Sequence, residues 1–145
     1  MNGTQIVGPV IALAGWTMLI WAWMIATRLP ALRAAGVQLG KLRGGTGRNA
    51  DGVVPDRIQW KAHNYNHLHE APTVFYAVAL ALAVIGQGDG LNAWLAWLYV
   101  ALRIVHSLIQ TLWNKVIWRL AFYIATQLVI AALVLRAACH VIAGS

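Results

Sequence analysis

A chain of 145 residues with 60% hydrophobic and only 10% charged residues departs from soluble globular proteins, where those shares run at about 45–50% and about 25%. That surplus excludes disordered, collagen-like and disulfide-rich classes, and at about 20 residues per crossing it leaves room for four membrane helices and little else. The net charge of +7 would point to nucleic acid in a soluble protein, but beside so much apolar sequence it is read as membrane topology, with no nucleic-acid partner.

From Ile6 to about Thr27 the chain is apolar, broken only by Gly8, Pro9 and Gly15, and the run extends weakly to Arg33. The first helix is therefore expected over about 6–33. Ala12-Leu-Ala14 looks superficially like a signal-peptidase site, but no Lys or Arg precedes it and the run continues past it, so a retained helix is expected. Gly36, Gly40, Gly44, Gly45, Gly47 and Gly52 then punctuate a basic loop over about 36–56, longer than a compact domain usually keeps without a role.

Asp56 is a plausible cap for a second helix over about 57–85. Its first half, Trp60 to Glu70, is polar and its second half, Ala71 to Ile85, is apolar. Pro72 removes the partner of the Leu68 carbonyl and should kink the helix there. Gly86 to Gly90 form a tight turn, a third helix follows over about 91–114, and a fourth covers about 118–142. Residues 1–145 thus read as one domain, an all-α membrane protein built as a four-helix transmembrane bundle.

Arg28, Arg33, Lys41, Arg43, Arg48, Arg57 and Lys61 all lie at or within the first connection, and Lys115 and Arg119 flank the third. By the positive-inside rule the long loop is cytoplasmic and both termini face outward. Trp60, Trp94, Trp113 and Trp118 fall near the expected interfaces, whereas Trp16, Trp21 and Trp23 lie deeper and read as packing residues.

Polar residues within apolar helices carry most of the information, because each is expensive in lipid and faces a partner or a wet cavity. Arg103, His106, Ser107, Gln110 and Asn114 stand at offsets 0, 3, 4, 7 and 11, which places them on one helical face. The second helix repeats the device with His63, Asn66, Glu70 and Thr73. The fourth carries Arg119, Tyr123 and Thr126 or Gln127, and the first carries Thr17, Trp21 and Arg28. Glu70 is the only carboxylate inside a predicted span and Arg103 the only deep cation, so the two are expected to pair. Such stripes can equally serve only to hold a bundle together.

His63 and His67 have ligand spacing, with Glu70 three residues further on, but a di-metal bundle needs a matching set and only His106 is on offer. No metal site is expected. Gly44 to Gly47 lack the strand and the lysine of a phosphate loop. The single cysteine, Cys139, excludes an intrachain disulfide and reads as a packing residue.

The four-span layout, the long basic first loop, Asn64-Tyr-Asn66-His-Leu-His-Glu70-Ala-Pro72-Thr73 and Arg103-Ile-Val-His106-Ser107 together resemble the MAPEG superfamily, membrane-associated proteins of eicosanoid and glutathione metabolism, in its bacterial branch. The resemblance spans about 56–135 and is weaker over the first helix. It implies a homotrimer in the bacterial inner membrane, with glutathione as co-substrate bound between subunits toward the cytoplasm. It further implies that Glu70 and Arg103 form a structural and glutathione-contacting pair and that His106 lines the site. Arg119 and Tyr123 would be the catalytic residues near the thiol, with Arg28, His63, Asn66 and Gln110 completing the binding set. A nearby cation makes a thiol the better nucleophile by favouring the thiolate. Where well-characterised eukaryotic members carry arginines one and two turns before the second-helix glutamate, this chain has Asn66 and His63, and Gln110 replaces a tyrosine.

Three functions follow as alternatives. The first is a glutathione-dependent transferase or peroxidase acting on lipophilic small molecules that arrive through the lipid bilayer. The second is a non-catalytic structural or accessory subunit of a larger membrane complex. A small transporter ranks last, because Leu80 to Ile85 and Leu128 to Leu135 are nearly all apolar and interrupt any polar path.

Overall fold

A computed structural model of the chain describes residues 3–44 and 46–143, and Arg48 by its backbone alone. Gly45 of the glycine-rich segment and the side chain of Arg48, counted above with the basic residues, lie outside the described residues. The elements are helical throughout: α1 (Val7–Ala34), α2 (Asp56–Glu70), α3 (Thr73–Val84), α4 (Leu91–Leu112) and α5 (Val116–Ala143). They supply four segments long and apolar enough to cross a membrane, with α2 and α3 as the two halves of the second. The protein is an integral, multi-pass membrane protein.

The break between α2 and α3 falls at Ala71 and Pro72. Pro72 has no N–H for the Leu68 carbonyl, while Ala71 N–H still reaches the His67 carbonyl at 3.1 Å and the Thr73 hydroxyl donates to the His69 carbonyl at 2.7 Å. The kink expected from the sequence is thus a full interruption between a polar and an apolar half.

At one end of the bundle the N-terminal turn is tied to the α3–α4 connection. Gly3 and Gln5 N–H donate to the Asp89 carboxylate at 2.9 and 3.0 Å, and Ile6 N–H donates to the Gly88 carbonyl at 2.9 Å. The approach is so close that a Cβ on Gly88 would lie 1.9 Å from the Gly3 carbonyl oxygen. Arg136 of α5 donates to Asn92 at the start of α4, which gathers all four spans at this end.

At the other end the basic loop is docked rather than free. Arg28 donates to the Gly47 carbonyl, Gln59 donates to Asp51, and Leu32, Ala50 and Val54 form a small buried cluster. Between the ends, α4 packs against α5, α1 and α2, and the core runs through Leu13, Ile20, Leu68, Phe75, Tyr99 and Leu133. Phe75 stacks on Tyr99 with ring centroids 4.2 Å apart.

Ile11, Met18, Leu19, Leu128 and Leu135 point outward, as side chains that meet acyl chains do. Trp94, Trp113 and Trp118 are exposed too, in keeping with interfacial anchoring. Trp16 packs inside, but Trp21, expected to pack, faces outward with 42% of its surface exposed.

Candidate functional site

The polar stripe of α4 faces the bundle interior. Arg103, His106, Ser107 and Gln110 are all buried, which is where the offsets of an α-helix place them if that face meets α1 and α2. Ser107 ties three helices together: its hydroxyl oxygen accepts from Trp16 Nε1 of α1 at 3.1 Å and from Asn64 Nδ2 of α2 at 2.5 Å. Gln110 is buried with its Oε1 unpaired and lines neither of the clefts described below.

The expected Glu70–Arg103 pair does not form. Glu70, in the last turn of α2, is exposed. Arg103, fully buried, donates through Nη2 to His67 Nδ1 and to the His67 carbonyl at 2.7 Å, and through Nη1 to His106 Nδ1 at 3.3 Å. The reason is rotational. His67 stands one turn before Glu70, and on this helix it is His67 that faces α4. The His67 and His106 rings stack with centroids 5.1 Å apart, and Tyr123 of α5 meets His67 edge-on at 5.9 Å.

These rings border a cleft of about 230 Å³ between α2, α4 and α5, lined by His67, His106, Val116, Arg119, Leu120 and Tyr123. Arg119 is held there by the end of α4. Asn114 takes the left-handed conformation (φ 54) that Asn tolerates and that commonly terminates helices. Its N–H returns to the Ile109 carbonyl at 2.7 Å, and its side-chain oxygen accepts from Arg119 Nη1 at 2.8 Å. One residue thus ends α4 and aims the cation of α5. Val116 and Leu120, both exposed, give the cleft an apolar lip.

A second cleft of about 190 Å³ gathers Arg28, His63 and Asn66 with Met24, Gly47, Ala62 and Tyr65. Arg28 of α1 thereby joins α2 and the docked loop. His63 also lies 3.3 Å from Asp51 of that loop, and the Gln59 amide donating to Asp51 holds its carboxyl below the ordinary carboxylate range. Of the residues expected at a site, the structure brings His106, Arg119 and Tyr123 together at the first cleft, with Arg103 behind it. It brings Arg28, His63 and Asn66 together at the second, and sets Glu70 and Gln110 apart from both.

Sequence reasoning gave His67 no place in the site beyond a ligand pair with His63, and it missed Asn64. The signal for His67 was present: a buried arginine needs an acceptor one helix away, and His67 lies on α2 one turn before Glu70, the residue expected to supply it. Asn64 sits on the opposite side of the stripe from Asn66, and only the position of Ser107 shows its partner.

The chemistry of the first cleft is that of a donor-rich wall beside an apolar lip, suited to an anionic or polarisable ligand head with a lipophilic partner. No curated protein and no solved structure matches the chain. The MAPEG family model matches residues 6–139, nearly the whole chain and all four spans, and the protein is a member of the MAPEG family.

Proposed function

We propose that the protein is a glutathione-dependent transferase or peroxidase for lipophilic electrophiles, working as a homotrimer in the bacterial inner membrane with its basic loop cytoplasmic and its termini outward. The observation that carries this reading is the placement of Arg119, fixed by Asn114, beside His67, His106 and Tyr123 in a cleft with an apolar lip. A guanidinium there favours the thiolate over the thiol, the thiol proton leaving to water through the open cleft. The thiolate attacks the electrophilic carbon, a carbon–sulfur bond forms, and the leaving group departs with its electron pair. The apolar lip lets an electrophile dissolved in lipid reach the sulfur.

The residues suit a ligand with two carboxylates and a thiol. Arg28 and His63 of the second cleft and Arg119 of the first supply basic groups on either hand of α2. Each cleft alone is smaller than the roughly 300–1,000 Å³ that encloses a small ligand, which supports completion by a neighbouring subunit. Glu70 adds to this. A carboxylate exposed on a membrane-crossing segment calls for a protein neighbour rather than lipid, and that observation also favours the second reading, a subunit of a larger complex.

Calorimetric titration of the purified protein in detergent with glutathione, followed by a chlorodinitrobenzene conjugation assay, tests the enzyme reading. Saturable binding and conjugation above the uncatalysed rate are expected. No binding at millimolar glutathione would overturn it.

A further inference from the structure

We propose that Arg103 is a positioning residue whose guanidinium fork locks His67 and His106 in one tautomer, making them a fixed pair of Nε2–H donors for an anionic ligand head in the first cleft. This rests on the proposed function only for the identity of the ligand, and deepens it by assigning the donors. Arginine is a donor alone. A ring nitrogen in hydrogen-bond contact with its Nη atoms can therefore only accept, so Nδ1 of both His67 and His106 lacks a proton. Each ring then carries its proton on Nε2, on the far side of the ring from Arg103. Neither Nε2 is among the buried polar atoms without a partner, and both rings line the cleft. The His67 backbone carbonyl, accepting from the same Nη2 at 2.7 Å, keeps the fork from rotating away.

The consequence is a wall of directed donors, the two Nε2–H groups, the Arg119 guanidinium and the Tyr123 hydroxyl, with no carboxylate among the lining residues. Such a wall takes a thiolate, sulfonate or carboxylate. It has the wrong polarity for a metal cation, because the Nε2 lone pair that would bind the metal is occupied by the proton.

The test is nuclear magnetic resonance of the full chain, labelled with nitrogen-15 at histidine and held in detergent, with His67→Gln and His106→Gln assigning the resonances. Without any ligand, both rings are expected in the Nε2–H form. Benzenesulfonate should shift both Nε2 resonances saturably, and neutral methyl phenyl sulfone should not. Arg103→Gln should release at least one ring to the other tautomer and weaken benzenesulfonate by about tenfold or more, the size expected when hydrogen bonds to a charged group are lost. Protonation of either Nδ1 in the unaltered protein overturns the proposal even if Arg103→Gln fails to fold, and so does an equal response to sulfone and sulfonate. Benzenesulfonate binding in a protein that ignores glutathione supports the donor pair and removes the glutathione reading. Glutathione binding with Nδ1 protonated does the reverse.

Discussion

Arg103 is a cation buried within a membrane span, and among the described residues it meets no carboxylate; the rings of His67 and His106 and the His67 carbonyl accept from its Nη1 and Nη2 instead, and its Nε has no partner. Ser107 does comparable work for neutral groups, accepting from Trp16 and Asn64 at once. Ser107→Ala would orphan the buried Asn64 amide, at about 1–3 kcal/mol, and the partly buried Trp16 N–H at less. A lowered thermal midpoint in detergent, with helical content unchanged before the transition, is the expected result; an unshifted midpoint would remove Ser107 from the interior network. The inward stripe of α4 was legible in the sequence because helical spacing puts Arg103, His106, Ser107 and Gln110 on one face. The partner of Arg103 was not. His63, His67 and Glu70 all sit about one turn apart on α2, and choosing among them requires the rotation of α2 against α4, which depends on where Pro72 interrupts the span.

At the scale of elements, the four spans followed from apolar run lengths, and the split of the second followed from Pro72. The docking of the basic loop did not, since its contacts from Gly47 to Arg28 and from Asp51 to Gln59 and His63 join residues with no shared periodicity. The N-terminal clasp was equally hidden. Gly88→Ala places a Cβ against the Gly3 carbonyl, and backbone must shift to admit it, so a loss of about 1–3 kcal/mol is expected in thermal unfolding. The clasp is also pH-dependent. The Gly3 and Gln5 N–H groups hold the Asp89 carboxyl below its ordinary range, so the stabilisation is fully present above about pH 4 and lost as pH falls through the lowered value. Amide exchange at Ile6, corrected for its intrinsic rate, should show protection at neutral pH and loss of it in acid. Equal protection of Ile6 in Asp89→Ala would show that the carboxylate does not hold this end.

For the whole molecule, the apolar excess is divided among four helices, and most of the positive charge lies in or beside one docked connection. The proposed function concentrates where α2, α4 and α5 meet, and exposed Glu70 is where a neighbouring chain is expected. Glu70→Ala should shift native mass spectra from trimer toward monomer by several-fold; an unchanged distribution would mean that Glu70 is not at a subunit contact. In the proposed site Arg119 stabilises a bound thiolate in the cleft beside His67 and His106. Ultraviolet difference spectroscopy of the thiolate during glutathione titration at neutral pH tests it most directly. A saturating thiolate signal is expected in the unaltered protein and its loss in Arg119→Ala, with conjugation slowed about a hundredfold and the oligomer intact. A full thiolate signal in Arg119→Ala would contradict it.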